Sequence, residues 1–210
     1  AAHKALELLL KGEDIARALK KASLDEKLTT TETDDLLAYK GNILAFIARY
    51  TQYKKARGAT DQFVEKKFGL TDDFRNTQFF AKDVFFRGVI DLGVILPEKV
   101  AIIIDHKSGE KTPMEKHKTQ LQSYAVASLS MDPSLEGVQS AIHFLKSKEI
   151  EWDDFIQTDT IKNTLRPWLI NYINDCTKDF DVKEAPPVKG YWCTFCGYKA
   201  QCPVWTDSQT

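Results

Sequence analysis

Residues 100–107, VAIIIDHK, carry three isoleucines straight into an acid, a histidine and a lysine, and this transition constrains the fold more than any other stretch. A run so rich in β-branched residues reads as a buried strand, so the charge at its end needs a reason. VFFRGVIDLGVIL, residues 84–96, reads as a second strand, and Pro97-Glu98-Lys99 between the two is a short turn. Pairing Leu96 with Val100 makes a hairpin whose register sets Asp91 directly opposite Asp105. Facing carboxylates repel across a hairpin, and a bridging divalent cation is the economical resolution. Side chains two apart share one face of a strand, so Lys107 projects beside Asp105 while His106 points the other way. Two carboxylates suit Mg2+ or Mn2+, one ion or two, and the neighbouring ammonium suits an anionic substrate, most simply a phosphodiester. The implied chemistry is metal-assisted hydrolysis. The same spacing also fits a surface hairpin whose Asp and Lys pair weakly in solvent.

Helical periodicity over 1–22, with Leu6, Leu9, Leu10 and Leu19, and over 34–55, with Leu36, Leu37, Ile43, Ile47 and Tyr50, predicts two helices ahead of the strands, ended at Gly58. FVEKKFGL, residues 63–70, precedes the hairpin as a further strand. A helix over 114–130, strands at 137–147 and 149–156, and a helix over 158–180 follow. The order predicts an α/β fold whose first strands are joined as hairpins. Three regions are expected: a helical part at 1–60, a core at 61–182, and a cysteine-rich element at 183–210 that opens with the linker EAPPVKG.

Globular composition, with 43% hydrophobic and 28% charged residues in 210, excludes a disordered chain. No apolar run reaches membrane-spanning length and no signal peptide is visible, so the expected compartment is the cytoplasm and no membrane partner is expected. A formal net charge of −1 means that any polyanion must be held by a local basic patch. Lys107, Lys111, Lys116 and Lys118 form a candidate edge for phosphates, although such a cluster is also what a solvated helix start looks like. Cys193, Cys196 and Cys202 form CxxCx5C, a thiolate set short of the four ligands that zinc or [4Fe–4S] takes, and unligated thiols are the alternative. Cys176 reads as a packed thiol. Tyr191, Trp192 and Phe195 pack on that element or stack on bases. Ala1 is not a methionine and falls inside a helical pattern, so residues are expected before it.

GVID at 88–91, IIIDHKSG at 102–109 and QLQSY at 120–124 resemble, in order, the motifs of PD-(D/E)xK nucleases, and specifically their RecB-like exonuclease branch. AHKALE at 2–7 resembles that branch's first motif, a glycine followed by a histidine and a glutamate on a helix, with the glycine placed before Ala1. Glu65 is similar to the acid those nucleases place on the strand before the hairpin. The resemblance implies a restriction-endonuclease-like core, a mixed sheet flanked by helices. It implies that Asp91, Asp105, His3 and the main-chain carbonyl of His106 ligate the metal. Lys107 would orient or activate water and offset transition-state charge, and Glu65, Gln120 and Tyr124 would complete the catalytic set. Gln120 and Tyr124 are one helical turn apart. It further implies an iron-sulfur cluster on the three cysteines, with a fourth upstream of Ala1, in a bacterial, archaeal or phage-infected cell. The expected function is a DNA exonuclease acting on single-stranded or frayed ends in recombination, repair, phage DNA metabolism or CRISPR adaptation. An endonuclease on the same fold and a non-cutting end-binding subunit remain the competing readings. No GxxxxGK[ST] is present, so unwinding falls to a helicase or recombination partner.

Overall fold

The computed structural model describes residues 1–59 and 61–177, and beyond them only 190, 193, 196, 197 and 202. The linker up to Lys189 and the aromatic residues Tyr191, Trp192 and Phe195 lie outside the described residues. The chain divides into two compact units, Ala1–Ile170 and Asn171–Thr210.

Four helices open the first unit: α1 (Ala2–Leu10), α2 (Ile15–Asp25), α3 (Thr30–Ala38) and α4 (Lys40–Arg57). The single helix expected over 1–22 is therefore two. Gly12 takes a left-handed φ of 93° after α1, and the Asp14 carboxylate accepts from Ala16 N and Arg17 N to start α2 afresh. The helix expected over 34–55 starts earlier and also divides: Thr29 and Glu32 form a reciprocal cap that starts α3 at Thr30, and α4 begins after Tyr39. Gly58, with a φ of 63°, ends α4 as the sequence predicts.

Strands β1 (Asp61–Leu70), β2 (Asn76–Thr77), β3 (Phe86–Ile95), β4 (Val100–Lys107), β5 (Gly137–Phe144) and β6 (Glu149–Gln157) form one mixed sheet in the order β2-β1-β3-β4-β5-β6. Only β4 and β5 are parallel, and α5 (Lys118–Met131), after a 3-10 turn at Met114–Lys116, carries the chain between them. After β6 come α6 (Thr158–Thr160), wider π-type turns at Ile161–Leu165, and α7 (Arg166–Thr177).

Leu92 and Val94 of β3, Ile102 and Ile104 of β4 and Ala141 of β5 bury one sheet face against Leu6, Leu19, Ile43, Phe46 and Tyr50 of the N-terminal helices. Helix and sheet segments thus share one core in this unit. Neighbouring residues alternate between faces, so Asp105 turns away from that core toward α5. No helix among the described residues is long and apolar enough to cross a membrane.

Candidate active site

The hairpin register is the one the turn length dictates. Leu96 N donates to Val100 O at 2.9 Å, and the ladder runs from Ile95↔Ala101 to Leu92↔Ile104. The next rung, Asp91 facing Asp105, is not paired. On the other side of β3 the ladder pairs Val64↔Leu92 and Lys66↔Ile90 and omits the rung between them, where Glu65 faces Asp91. Three acids from adjacent strands therefore share one rung, and backbone pairing is lost on both sides of the middle one.

Glu65 holds a left-handed φ of 52°, a conformation that costs a non-glycine residue roughly 1–3 kcal/mol. Its effect is to turn β1 over. Val64 packs on the core of the N-terminal helices, whereas Phe68, of the same parity, lies 6.5 Å ring to ring from Tyr124 on α5. Simple alternation would have kept both on one face.

Around Asp91 the donors come from three elements. Its Oδ2 accepts from His106 N at 2.7 Å and lies 3.8 Å from His3 Nδ1, while His3 Nε2 hydrogen-bonds the His106 carbonyl oxygen. His3, Glu65 and Asp91 each offer a ligand atom within 4.8 Å of the others, and they are the one such cluster among the described residues. Burial, then the Asp105 and Glu65 charges, push the Asp91 carboxyl up to about 6 against the pull of the His106 amide and His3. Burial and the Glu7 charge raise Glu65 as well. Glu7, the acid of the AHKALE motif, is itself held by Lys4 at 2.8 Å and Lys11 at 2.5 Å. Its influence on Glu65 was not drawn from the sequence, although its lysines at i−3 and i+4 were a visible signal.

Asp105 is 2% exposed and belongs to a second, adjoining network. Gln120 Nε2 donates to its Oδ1 at 2.9 Å and to Tyr124 Oη at 2.7 Å, while Gln120 Oε1 accepts from Lys107 Nζ at 2.9 Å. The opposite amide orientation would set N–H against the ammonium and oxygen against the carboxylate, so Gln120 has one workable pose. Asp105 Oδ2 is buried without a hydrogen bond, and Lys107 Nζ stands 2.8 Å from it, off the hydrogen-bonding direction. Burial and the Asp105 charge hold the Tyr124 phenol above its ordinary range, so it stays protonated.

His106 points its ring the other way, as its parity requires. It is buried with Nδ1 3.0 Å from His143 Nδ1, and His143 stacks on Phe46 at 4.2 Å. Burial first, then Arg49 and His3, push His143 down to about 4, so the pair is neutral packing that seats the β4 end. His117 is turned to Thr112 Oγ1 at 2.7 Å.

Of the three outlying lysines, Lys111 is bound by Glu149 and Glu151 of β6, Lys118 pairs with Glu115 at 3.3 Å, and Lys116 is exposed. Cys193 and Cys202 are partly buried and Cys196 is exposed; the described residues bring no three thiols to ligand distance. Cys176 is exposed on α7, which corrects its reading as a packed thiol.

Crowded hard oxygen donors with one imidazole, a middle acid that resists ionisation and a carboxylate oxygen left without a hydrogen bond fit a divalent cation such as Mg2+ or Mn2+. With a lysine beside them, they define a metal-dependent hydrolase of the nuclease kind. The chain belongs to the PD-(D/E)XK nuclease superfamily, whose family model matches residues 1–203. Among curated proteins none matches the chain. Among solved structures, one described as "Crystal structure of SSO0001" is similar at 18% identity with a TM-score of 0.36, over 97% of this chain and 94% of that one.

Proposed function

We propose that the chain is a metal-dependent DNA exonuclease of the RecB-like branch, hydrolysing phosphodiester bonds at single-stranded or frayed ends. The observation that carries this reading is the rung of three carboxylates with Lys107 fastened beside it by Gln120. The approach of His3 to Asp91 supports the branch, since the histidine motif is what distinguishes it. Asp91, Asp105, Glu65, His3 and the His106 carbonyl oxygen would hold a divalent ion, which would supply Lewis-acid charge to the scissile phosphate.

The chain's own groups do the rest. Lys107 orients the attacking water and offsets charge growing on the phosphoryl oxygens. Gln120 fixes both Lys107 and Asp105, and protonated Tyr124 holds Gln120 in place. Lys116 is the best candidate of the outlying lysines for a phosphate contact, because Lys111 is occupied by two acids and Lys118 by one. Cys193, Cys196 and Cys202 are proposed as ligands of a [4Fe–4S] cluster, with zinc as the alternative, which iron, sulfide and zinc content of the purified protein decides.

The test incubates end-labelled linear and circular DNA, single- and double-stranded, with Mg2+, Mn2+ or EDTA. Metal-dependent release of end label from linear DNA, abolished by Asp105→Ala and Lys107→Ala, is expected. Cutting of circles would make it an endonuclease, and binding without cutting an end-binding subunit.

A further inference from the structure

The nuclease reading leaves one exposed cluster without a use. The connection between β2 and β3 displays Phe79 and Phe80, set edge to face at 4.8 Å, and Phe80 is 77% exposed. The Arg87 guanidinium lies 5.2 Å from the Phe80 ring and 5.3 Å from the Phe79 ring, and Lys67 Nζ lies 5.5 Å from Phe79. Arg87 also donates to Phe79 O at 3.4 Å. No ion pair among the described residues involves either cation, and Asp83, the acid of the same loop, accepts from Thr77 Oγ1 at 3.3 Å.

Fold stability does not account for this cluster. A ring so exposed gains little from burial, and surface cation–π contacts are weaker than the burial it forgoes. The position is informative too. Lys67 follows Glu65 by two residues on β1 and Arg87 precedes Asp91 by four on β3, so they sit about 7 and 14 Å along the strands from the carboxylate rung. A few nucleotides of extended strand cover that span.

Resting on the nuclease reading, we propose that Phe79, Phe80, Arg87 and Lys67 form a docking platform for unpaired nucleic acid leading into the site. Flat rings accept a base by stacking, and flanking cations meet the phosphates on either side of it; nucleic acid alone among common polymers alternates a flat ring with an anion. In a duplex the base faces are already stacked, so the platform selects single-stranded or frayed substrate.

The experiment measures binding of fluorescein-labelled single-stranded and blunt duplex DNA in EDTA by anisotropy, for the wild type, Phe80→Ala and Arg87→Gln, with melting curves for each. Phe80→Ala is expected to melt as the wild type does, bind single strands roughly 5- to 100-fold more weakly and leave duplex binding within about twofold. Arg87→Gln should lower the slope of log affinity against log salt by about 0.7 for single strands. In Mn2+, Phe80→Ala should raise KM and leave kcat near that of the wild type, because the ring touches no reacting atom. Single-strand affinity unchanged by Phe80→Ala, in a wild type that binds and cuts DNA, overturns the platform alone. Loss of self-association instead, with DNA affinity intact, overturns it in favour of a protein-covered face. A folded wild type that neither binds nor cuts DNA overturns the nuclease reading and the platform together.

Discussion

Replacing Asp91 by asparagine should stabilise the metal-free protein while destroying its activity, a combination that separates a charge-crowded metal site from an ordinary buried ion pair. Folding raises the Asp91 carboxyl from 3.8 to about 6, so the folded state holds its proton more tightly than the unfolded chain. Below about pH 4 the group is protonated in both states and contributes nothing. As the pH rises the unfolded chain releases its proton first, so stability falls between about pH 4 and 6, and the whole penalty is present above that. Two pH units correspond to roughly 3 kcal/mol, and relaxation around the site leaves about 2 kcal/mol as a working figure. The Asp91→Asn side chain keeps an oxygen for the His106 amide, now 2.7 Å from Asp91 Oδ2, and removes the repulsion from Asp105 and Glu65. In EDTA at pH 7.5 the melting temperature should rise by about 4–8 °C, and the gain should vanish near pH 4. Mn2+ should raise the melting temperature of the wild type at pH 7.5 and have little effect on the variant. A variant that melts at or below the wild type in EDTA at pH 7.5 would refute the argument that these acids repel in the empty site.

Lys107→Ala should lower kcat by about 10²–10³-fold while Mn2+ still raises the melting temperature, since the lysine supplies charge to the reaction and no ligand to the ion; a lost Mn2+ response would show that it organises the site instead. Phe46→Ala removes a ring that is 2% exposed and supports the His143–His106 pair, and should cost about 3–5 kcal/mol in urea denaturation. Lys116→Ala should reduce the salt dependence of DNA binding, whereas Lys111→Ala, already neutralised by Glu149 and Glu151, should leave it unchanged. The pair of slopes checks which lysine faces phosphate.

The hairpin was legible because two facts over-determine it: strand side chains repeat every second residue, and a three-residue turn permits few registers. Leu96 and Val100 alone therefore set Asp91 against Asp105. The break at Gly12 was harder to read, because a glycine inside an apolar helical pattern is compatible with a continued helix until Asp14 is seen capping the next one. The engagement of Lys111 was not legible at all. Its partners lie on β6, and nothing local to residues 107–118 announces Glu149 or Glu151.

Glu65 shows why the remaining geometry of the site was hidden. Propensity offers no signal for a left-handed glutamate in FVEKKF, since glycine or asparagine is the usual occupant of that conformation. It is tolerated here because the neighbouring rungs Val64↔Leu92 and Lys66↔Ile90 hold the strand on both sides. The same rung also contains the missing backbone pairs on either side of Asp91, the raised Asp91 carboxyl and, one strand over, the Asp105 Oδ2 that lacks a hydrogen bond. Each is a local violation of the rules that the rest of the sheet obeys, and a protein of ordinary stability can concentrate them only where other contacts over-determine the structure. His3, the His106 peptide and Gln120 are those contacts. A bound cation would relieve the charge crowding but not the backbone strain at Glu65, so metal removal should loosen the rung without unfolding β1. Hydrogen exchange with and without Mn2+ tests this: protection should change at residues 64–66, 90–92 and 105–107 and stay constant at Ile102 and Ile103.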